Sequence, residues 1–346
     1  MLEKIKTFIK YKSVKIDGKD GPTMVMYARE ISKPVITKKK VILFIIIVVL
    51  LTLFVQSVFA ISVTESLFSE KGSKKFIETA YGEEFFDSIN KKDSFLGNKG
   101  EMISEASKGK SYTAINVKNK NLSECYVILC HSYGATPYTM GSYAKHFYDL
   151  GFNLIIPELT TAKGNKEESV FLATADIDNI LFWINYITEK NENSKIILFG
   201  VSTGGATVFE AAGEKLPENV KCIITDSCYS TIWDLYGNYI SVAYEKSPFP
   251  LRNIASLYCS IKYDIPLKET GPYSIAKNVE KPVLFLHGEN DVIVPIDNNN
   301  DLYMKCEVKG RKQEVINEAE HSKLVEKDAE KYWSYVDNFI LDNIGN

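Results

Sequence analysis

Histidine is scarce in this chain, with four in 346 residues, so a histidine-dependent site has few candidates. None of the six cysteines forms a C-x-x-C pair, which argues against a zinc or thioredoxin-type site, and we expect mostly free thiols. A net charge of −3 and dispersed Lys and Arg argue against a nucleic-acid partner. No segment is of low complexity and no period of about 20–50 residues repeats, which excludes a solenoid or propeller.

Charge is absent from residues 41–64, which are rich in Ile, Leu, Val and Phe. This run is long enough to cross a bilayer as a helix. The Lys and Arg excess before it predicts a cytosolic N-terminus and an extracytoplasmic remainder at the cell membrane. A signal peptide cleaved at residues 58–60 is the alternative, but the length of the run favours a retained anchor. We predict a basic cytosolic tail over 1–37 and a single transmembrane helix over 38–63.

Apolar and amphipathic segments alternate regularly from residue 109 to residue 346. Near-continuous apolar runs, such as 220–226, separated by helix-like segments predict a mostly parallel sheet covered by helices on both faces. An aromatic-rich stretch at about 228–278 interrupts the alternation and predicts a small helical cap insertion, where the aromatics either shape a pocket or only pack. Residues 64–108 have a mixed pattern and are predicted to form a stalk or collar. The predicted fold class is therefore α/β.

Residues 200–204 read G-V-S-T-G and lie between the apolar run 195–199 and a small-residue stretch typical of a helix. A G-x-S-x-G pattern in this context predicts a sharp turn from strand to helix, with Ser202 at its tip. The glycines are needed because the two backbones approach too closely for side chains. The pattern alone is common, so its context carries the prediction that Ser202 is a nucleophile.

A serine hydroxyl is a weak nucleophile at neutral pH and needs a base that is oriented by a carboxylate. His321 is the predicted base, because it fits the chain order nucleophile, acid, base. Asp291 is the predicted acid, on the loop after a predicted strand at 282–287. Asp226, at the end of the preceding predicted strand, is the alternative acid. The other histidines are predicted to be structural or surface residues: His131, His146 and His287.

A developing oxyanion needs two preorganised backbone donors. The N–H of Thr203 is one expected donor, since it follows the nucleophile at a helix N-terminus, where the helix dipole also favours negative charge. The second donor is expected from the loop after the predicted strand at 125–130, with Tyr133 as the favoured residue. Neither a metal nor an organic cofactor is required by this arrangement.

Five motifs together resemble the α/β-hydrolase superfamily, and within it membrane-associated bacterial hydrolases of the serine aminopeptidase-like, Bem46-related kind. The motifs are residues 131–134 (H-S-Y-G), 198–205 (L-F-G-V-S-T-G-G), 225–230 (T-D-S-C-Y-S), 291–295 (D-V-I-V-P) and 320–321 (E-H). The resemblance covers roughly residues 85–345. It implies an α/β-hydrolase catalytic domain with a Ser-Asp-His triad, and relatives that include esterases, lipases, thioesterases and peptidases.

Three departures from the usual pattern of these relatives stand out. Ser132 replaces a glycine and is expected to tighten or reshape the oxyanion hole. Thr203 and Gly205 replace the commoner Met and Ala, which is a milder change. A D-x-R-G-x-G loop is replaced by residues 158–164, so the rim of the pocket is expected to differ. None of these changes removes a catalytic group.

The sequence therefore predicts a membrane-anchored serine hydrolase that cleaves carboxylic esters, or related acyl bonds, through an acyl-enzyme. Its predicted partners are a small-molecule or lipid-like acyl substrate and the membrane. An acyltransferase or a peptidase using the same triad remains open as an alternative. A non-catalytic binding protein on a hydrolase fold is disfavoured, because all three triad residue types occur in the expected order.

Overall fold

A computed structural model of the protein describes residues 9–13, 27–31, 37–67, 70–83, 89, 91–121, 123–159 and 173–344. The chain divides into two compact units, Met1–Val55 and Gln56–Asn346. The first unit contains an antiparallel strand pair, β1 (Ile9–Ser13) and β2 (Tyr27–Ile31). Helix α1 (Lys38–Leu67) begins in the first unit and ends in the second.

Helix α1 is long and apolar enough to span a membrane. Its 30 residues correspond to about 45 Å of helix, against about 30 Å of bilayer hydrocarbon. The most apolar window of 18 residues has a mean hydropathy of 3.0, and its side chains are exposed. The helix extends past the predicted limit at residue 63, and its last residues belong to the second unit.

The second unit is built on one eight-stranded sheet. Its strands are β3 (Glu101–Ser107), β4 (Lys110–Val117), β5 (Cys125–Cys130), β6 (Asn153–Pro157), β7 (Lys195–Val201), β8 (Val220–Asp226), β9 (Val283–Gly288) and β10 (Lys312–Ile316). The order across the sheet is β10-β9-β8-β7-β5-β6-β4-β3. All neighbours from β6 to β10 pair in parallel, whereas β4 is antiparallel to both β6 and β3. This confirms the predicted fold class.

Helices cover both faces of this sheet. In chain order they are α2 (Glu70–Tyr81), α3 (Ser94–Lys99), α4 (Gly141–Asp149), α5 (Ile177–Lys190), α6 (Thr203–Ala211), α7 (Ile232–Tyr244), α8 (Leu251–Tyr263), α9 (Pro272–Ile275), α10 (Asp297–Lys305), α11 (Leu324–Lys327) and α12 (Ala329–Ile344). Successive side chains of a strand point to opposite faces, so β7 contributes Leu198 to the core under α5 and α6 and Phe199 to the core under α4 and α12. Burial on both faces explains why the parallel strands are almost continuously apolar.

Two features flank the sheet. Helices α7 and α8 lie between β8 and β9 along the chain, within the stretch predicted as a helical cap. Strand β3 lies in residues 101–107, within the predicted stalk, and pairs with β4 through a tight turn at Lys108 and Gly109. The sheet thus begins before residue 109. The sequence did not indicate this strand, because β3 alternates exposed and half-buried residues and lacks the apolar run of a central strand.

A buried carboxyl group on α6 makes the stability of the fold depend on pH. Glu210 is 6% exposed and accepts a hydrogen bond from Thr174 Oγ1 (2.9 Å). Burial raises its pKa to about 7, and the Thr174 hydrogen bond offsets part of this. Because the folded state holds the proton more tightly than the unfolded state, stability present below about pH 4.5 is lost as the pH rises through 7. The loss is on the order of 3 kcal/mol.

We therefore expect Glu210→Gln to raise the melting temperature of the full-length protein in detergent at pH 8, and to change it little at pH 4.5. The exposed residue Glu214 lies on the surface just after the end of α6, so Glu214→Gln is the matched control. An unchanged dependence of the melting temperature on pH in Glu210→Gln would contradict the assignment of this effect to Glu210.

Candidate active site

Ser202 occupies a strained turn between β7 and α6. Its backbone has φ 53° and ψ −115°, outside the regions that non-glycine residues favour, and its N–H donates to Asp226 O (2.7 Å). The flanking glycines are required by space: a Cβ on Gly200 would lie 2.1 Å from Gly204 O, and a Cβ on Gly204 would lie 2.2 Å from Cys130 O. The turn thus holds the Ser202 hydroxyl at the carboxyl edge of the sheet.

Three of the predicted site residues form one chain of hydrogen bonds. Ser202 Oγ lies 3.0 Å from His321 Nε2, and His321 Nδ1 lies 2.6 Å from Asp291 Oδ2. All three residues are buried, although they are 89 and 30 positions apart along the chain (291 − 202 and 321 − 291). Nδ1–H donates to the carboxylate in this arrangement, which leaves Nε2 free to accept the serine proton.

The Asp291 carboxylate is held as an anion by its surroundings. Its Oδ1 accepts the backbone N–H groups of Ile293 (3.0 Å) and Val294 (2.7 Å). Burial alone would raise the pKa of Asp291, but its electrostatic interactions and hydrogen bonds with His321 and His287 lower it overall. His287 Nε2 lies 3.4 Å from Asp291 Oδ2 and 2.6 Å from Val294 O, so this histidine also supports the carboxylate.

Asp226, the alternative acid, has other partners. Its two carboxylate oxygens accept hydrogen bonds from Ser227 Oγ (2.8 Å) and Tyr332 OH (2.9 Å). Burial raises its pKa to about 6, and these hydrogen bonds only partly offset the rise. The hydrogen bond to His321 Nδ1 is made by Asp291 instead, because the loop after β9 brings this carboxylate to the ring.

The two predicted oxyanion donors follow the carboxyl ends of the neighbouring strands β7 and β5. Thr203 is the first residue of α6, so its N–H has no acceptor within the helix. Tyr133 is buried in the loop after β5, where Ala135 N donates to Ser132 O (3.1 Å). The Tyr133 phenol donates to Leu67 O, and its ring packs edge-on against Phe76.

The remaining two histidines lie apart from this chain of hydrogen bonds. His131 Nδ1 donates to Ser132 O (2.9 Å) and Nε2 accepts from Leu159 N (3.1 Å), and burial lowers its pKa to about 4. A ring that remains neutral in this way orders the loop after β5. His146 stacks on Trp333 at 3.7 Å between ring centroids. Both arrangements agree with the predicted structural or surface roles.

One residue next to the serine has no counterpart among the predicted site residues. Tyr81, the last residue of α2, donates its phenol O–H to Ser202 Oγ (2.9 Å). Residues 64–108 are predicted only to form a stalk or collar, and their pattern contains no signal that this segment reaches the nucleophile. The contact joins residues 121 positions apart and could not be recognised from local sequence.

A cavity of about 890 Å³ opens beside His321. Its walls include Tyr81, Ser132, Met140 and Lys323, so it combines apolar and polar surface. Among the residues that the structure describes, no group of three or more His, Cys, Asp or Glu side chains is arranged to hold a metal ion. Most of the replaced rim loop, from residue 160 to residue 164, lies outside the described residues.

Comparisons with known proteins agree with the fold. A family model of the alpha/beta hydrolase fold matches residues 126–236. The chain is 26% identical over 226 residues to the uncharacterized protein YqkD of Bacillus subtilis (strain 168), which covers 64% of this chain and 72% of that protein.

Solved structures of this fold come from several hydrolases. The Pyrococcus furiosus esterase Pf2001 superposes with a TM-score of 0.56 at 17% identity, over 72% of this chain and 94% of that one. The Pyrococcus horikoshii acylaminoacyl peptidase superposes with a TM-score of 0.53 at 13% identity, over 70% of this chain and 41% of that one. The strand order, the family-model match over residues 126–236 and these superpositions show that the chain has the α/β-hydrolase fold.

Proposed function

We propose that the protein is a membrane-anchored serine hydrolase that cleaves carboxylic ester bonds in a small-molecule or lipid-like acyl substrate. The observation that carries this proposal is the chain of hydrogen bonds from Ser202 through His321 to Asp291 at a strained turn. This arrangement supplies a nucleophile, a base and a carboxylate that orients the base. Esterase and peptidase structures of the same fold support the assignment to hydrolases.

Both halves of the proposed reaction, acylation and deacylation, follow from this geometry. Ser202 Oγ attacks the acyl carbon while its proton passes to His321 Nε2, and Asp291 stabilises the resulting imidazolium. Negative charge moves to the carbonyl oxygen, where the N–H groups of Thr203 and Tyr133 are the proposed donors. His321 then gives the proton to the departing alkoxide, and the acyl group remains on Ser202. Water, deprotonated by His321, releases the acid and restores the serine.

The same residues can also cleave an amide, so a peptidase is the second candidate. The superposition on an acylaminoacyl peptidase supports this second candidate. Esters remain the first choice because an alkoxide leaves more readily than an amine. Passing the acyl group to an alcohol or amine instead of water would make the enzyme an acyltransferase, and analysis of the products with added acceptors distinguishes this outcome.

We also propose that α1 is a retained anchor with a cytosolic N-terminus and an extracytoplasmic hydrolase domain. Three lysines precede the apolar run, which favours this orientation. Cleavage after Ala60 would remove Phe59, whose ring packs edge-on against Tyr244 at 5.3 Å. Ala60 itself is buried, and its carbonyl accepts a hydrogen bond from Tyr236 OH (3.1 Å). Retention preserves both contacts.

A charged, membrane-impermeant fluorophosphonate probe tests both proposals in one experiment. It is applied to intact bacterial protoplasts that express the full chain, and to the same protein solubilised in detergent, with the modified peptide mapped by mass spectrometry. We expect Ser202 to be labelled in both samples, and the solubilised enzyme to turn over p-nitrophenyl esters faster than aminoacyl p-nitroanilides.

Each contrary result contradicts a different claim. Failure of the folded, solubilised protein to react would contradict the serine hydrolase assignment. Labelling that appears only after solubilisation would reverse the proposed orientation. Faster turnover of the anilides would make the peptidase the better description. Heat-denatured protein is the control for non-specific labelling.

A further inference from the structure

We propose that Tyr81 is a further catalytic residue, whose phenol O–H contacts Ser202 Oγ in the resting enzyme and stabilises the oxyanion during the reaction. This inference rests on the proposed serine hydrolase function. It also assigns a catalytic role to the segment between the apolar helix α1 and strand β3. Tyr81 precedes residues 85–345, the part of the chain that the resemblance to α/β hydrolases covers.

The position of the Tyr81 phenol carries the proposal. It is 7% exposed, donates to Ser202 Oγ at 2.9 Å, and its ring centroid lies 5.4 Å from that of His321. Ser202 Oγ therefore accepts from Tyr81 while its own proton faces His321 Nε2. The phenol O–H does not compete for the lone pair of the base.

A second neighbour of the Tyr81 phenol lies in the loop that is expected to bind the oxyanion. The Ser132 side chain lies beside the Tyr81 phenol, and both residues line the cavity next to His321. Ser132 immediately precedes Tyr133, whose N–H is the proposed oxyanion donor, and its Oγ donates to Val201 O (3.3 Å). The phenol thus contacts the nucleophile and lies near the oxyanion loop. The serine that replaces the usual glycine at position 132 provides this neighbouring side chain.

Packing of α2 onto the hydrolase domain keeps the phenol in this position. The Phe76 ring lies 5.2 Å from Tyr133 and 5.0 Å from Tyr239, between centroids. Ile77 packs over Gly134, where a Cβ would lie 2.4 Å from Ile77 Cδ1. Because these contacts involve buried side chains, they hold Tyr81 with little conformational freedom, as a preorganised donor requires.

The protonation of Tyr81 suits a donor that does not itself transfer a proton. Burial raises its pKa to about 12, so the phenol keeps its proton over the working range of pH. During attack, the proton of Ser202 moves to His321 and the new O–C bond forms, while the Tyr81 O–H turns from Oγ to the carbonyl oxygen that gains the charge. The phenol thus accelerates the reaction only by binding this charge more strongly than the resting serine.

Removing the hydroxyl alone tests the proposal. In the full-length protein in detergent, we expect Tyr81→Phe to lower kcat for p-nitrophenyl ester hydrolysis by roughly 10- to 100-fold, with little change in KM. Tyr236→Phe is the matched control: it removes a buried phenol that also contacts the membrane-proximal segment, at Thr64 and Ala60, and is expected to keep kcat near the wild-type value. Melting temperatures verify that both variants fold.

A fluorinated tyrosine at position 81 provides a readout that packing alone would not change. Fluorination lowers the pKa of the phenol while retaining the ring and hydroxyl. We expect kcat of this enzyme to fall at an alkaline pH at which the wild type remains active, because the ionised phenol no longer donates. The variant is made by incorporating the unnatural residue into the full chain, so it remains informative if Tyr81→Phe folds poorly.

Three results would overturn the proposal. These are wild-type kcat in folded Tyr81→Phe, faster turnover in that variant, which would make the phenol an obstruction, and an unshifted pH profile with fluorotyrosine. All three require an active wild type. If the wild type itself neither hydrolyses esters nor reacts with a fluorophosphonate, the proposed function fails first, so the two failures are distinguishable.

Discussion

Ser202→Ala lowers kcat for ester hydrolysis by roughly 10⁴- to 10⁶-fold in the full-length protein, the largest effect we expect of any single substitution. The reason is that the acyl-enzyme cannot form without Oγ, and His321 then has no nucleophile to activate. Any residual rate comes from donors that still bind the oxyanion. The measurement is p-nitrophenyl ester turnover, with fluorophosphonate labelling of the same samples and melting temperatures to verify folding.

A buried serine at the other end of the same strand offers a matched control. Ser194 lies directly before β7, is 2% exposed and accepts a hydrogen bond from Asn219 Nδ2 (3.2 Å). Ser194→Ala removes a comparable hydroxyl far along the strand from the turn, and we expect near wild-type turnover. Retention of turnover and of labelling in Ser202→Ala would show that another residue is the nucleophile.

Asp291→Asn is expected to lower kcat by about 10⁴-fold, the second largest effect. The carboxylate accepts Nδ1–H of His321 at 2.6 Å and so presents Nε2, without its proton, to Ser202. An amide in this position can donate to Nδ1, which favours the tautomer with the proton on Nε2, and it does not stabilise the imidazolium. KM is expected to change little, because the carboxylate does not contact the substrate.

The rival carboxyl group provides the control for this prediction. Asp226→Asn retains volume and burial but alters the hydrogen bonds with Ser227 and Tyr332 and removes a carboxyl group that interacts electrostatically with His287 and His321. We expect it to lower the melting temperature, since buried hydrogen bonds are lost, while kcat stays within about tenfold of the wild type. A large loss of kcat in Asp226→Asn together with an active Asp291→Asn would assign the acid role to Asp226 instead.

Much of the fold was predictable because its signals are local. The predicted strand at 220–226 has the bounds of β8, since a strand buried on both faces is almost continuously apolar. The alternation of such runs with helices was sufficient to predict the parallel sheet. Strand β3 was placed in the stalk because it pairs on one side only, at the edge of the sheet, and its pattern is half polar.

By itself, the sequence determined the fold class, the turn that presents Ser202 and the small group of candidate partners, because strand periodicity and the glycine spacing are encoded within a few residues. Only the tertiary structure decided which partners meet. Asp226 and Asp291 both follow strands of the same sheet, and the loop after β9, not the local sequence, brings Asp291 to His321. Tyr81 reaches Ser202 through the packing of α2 on the hydrolase domain, a contact between distant segments that no local pattern contains.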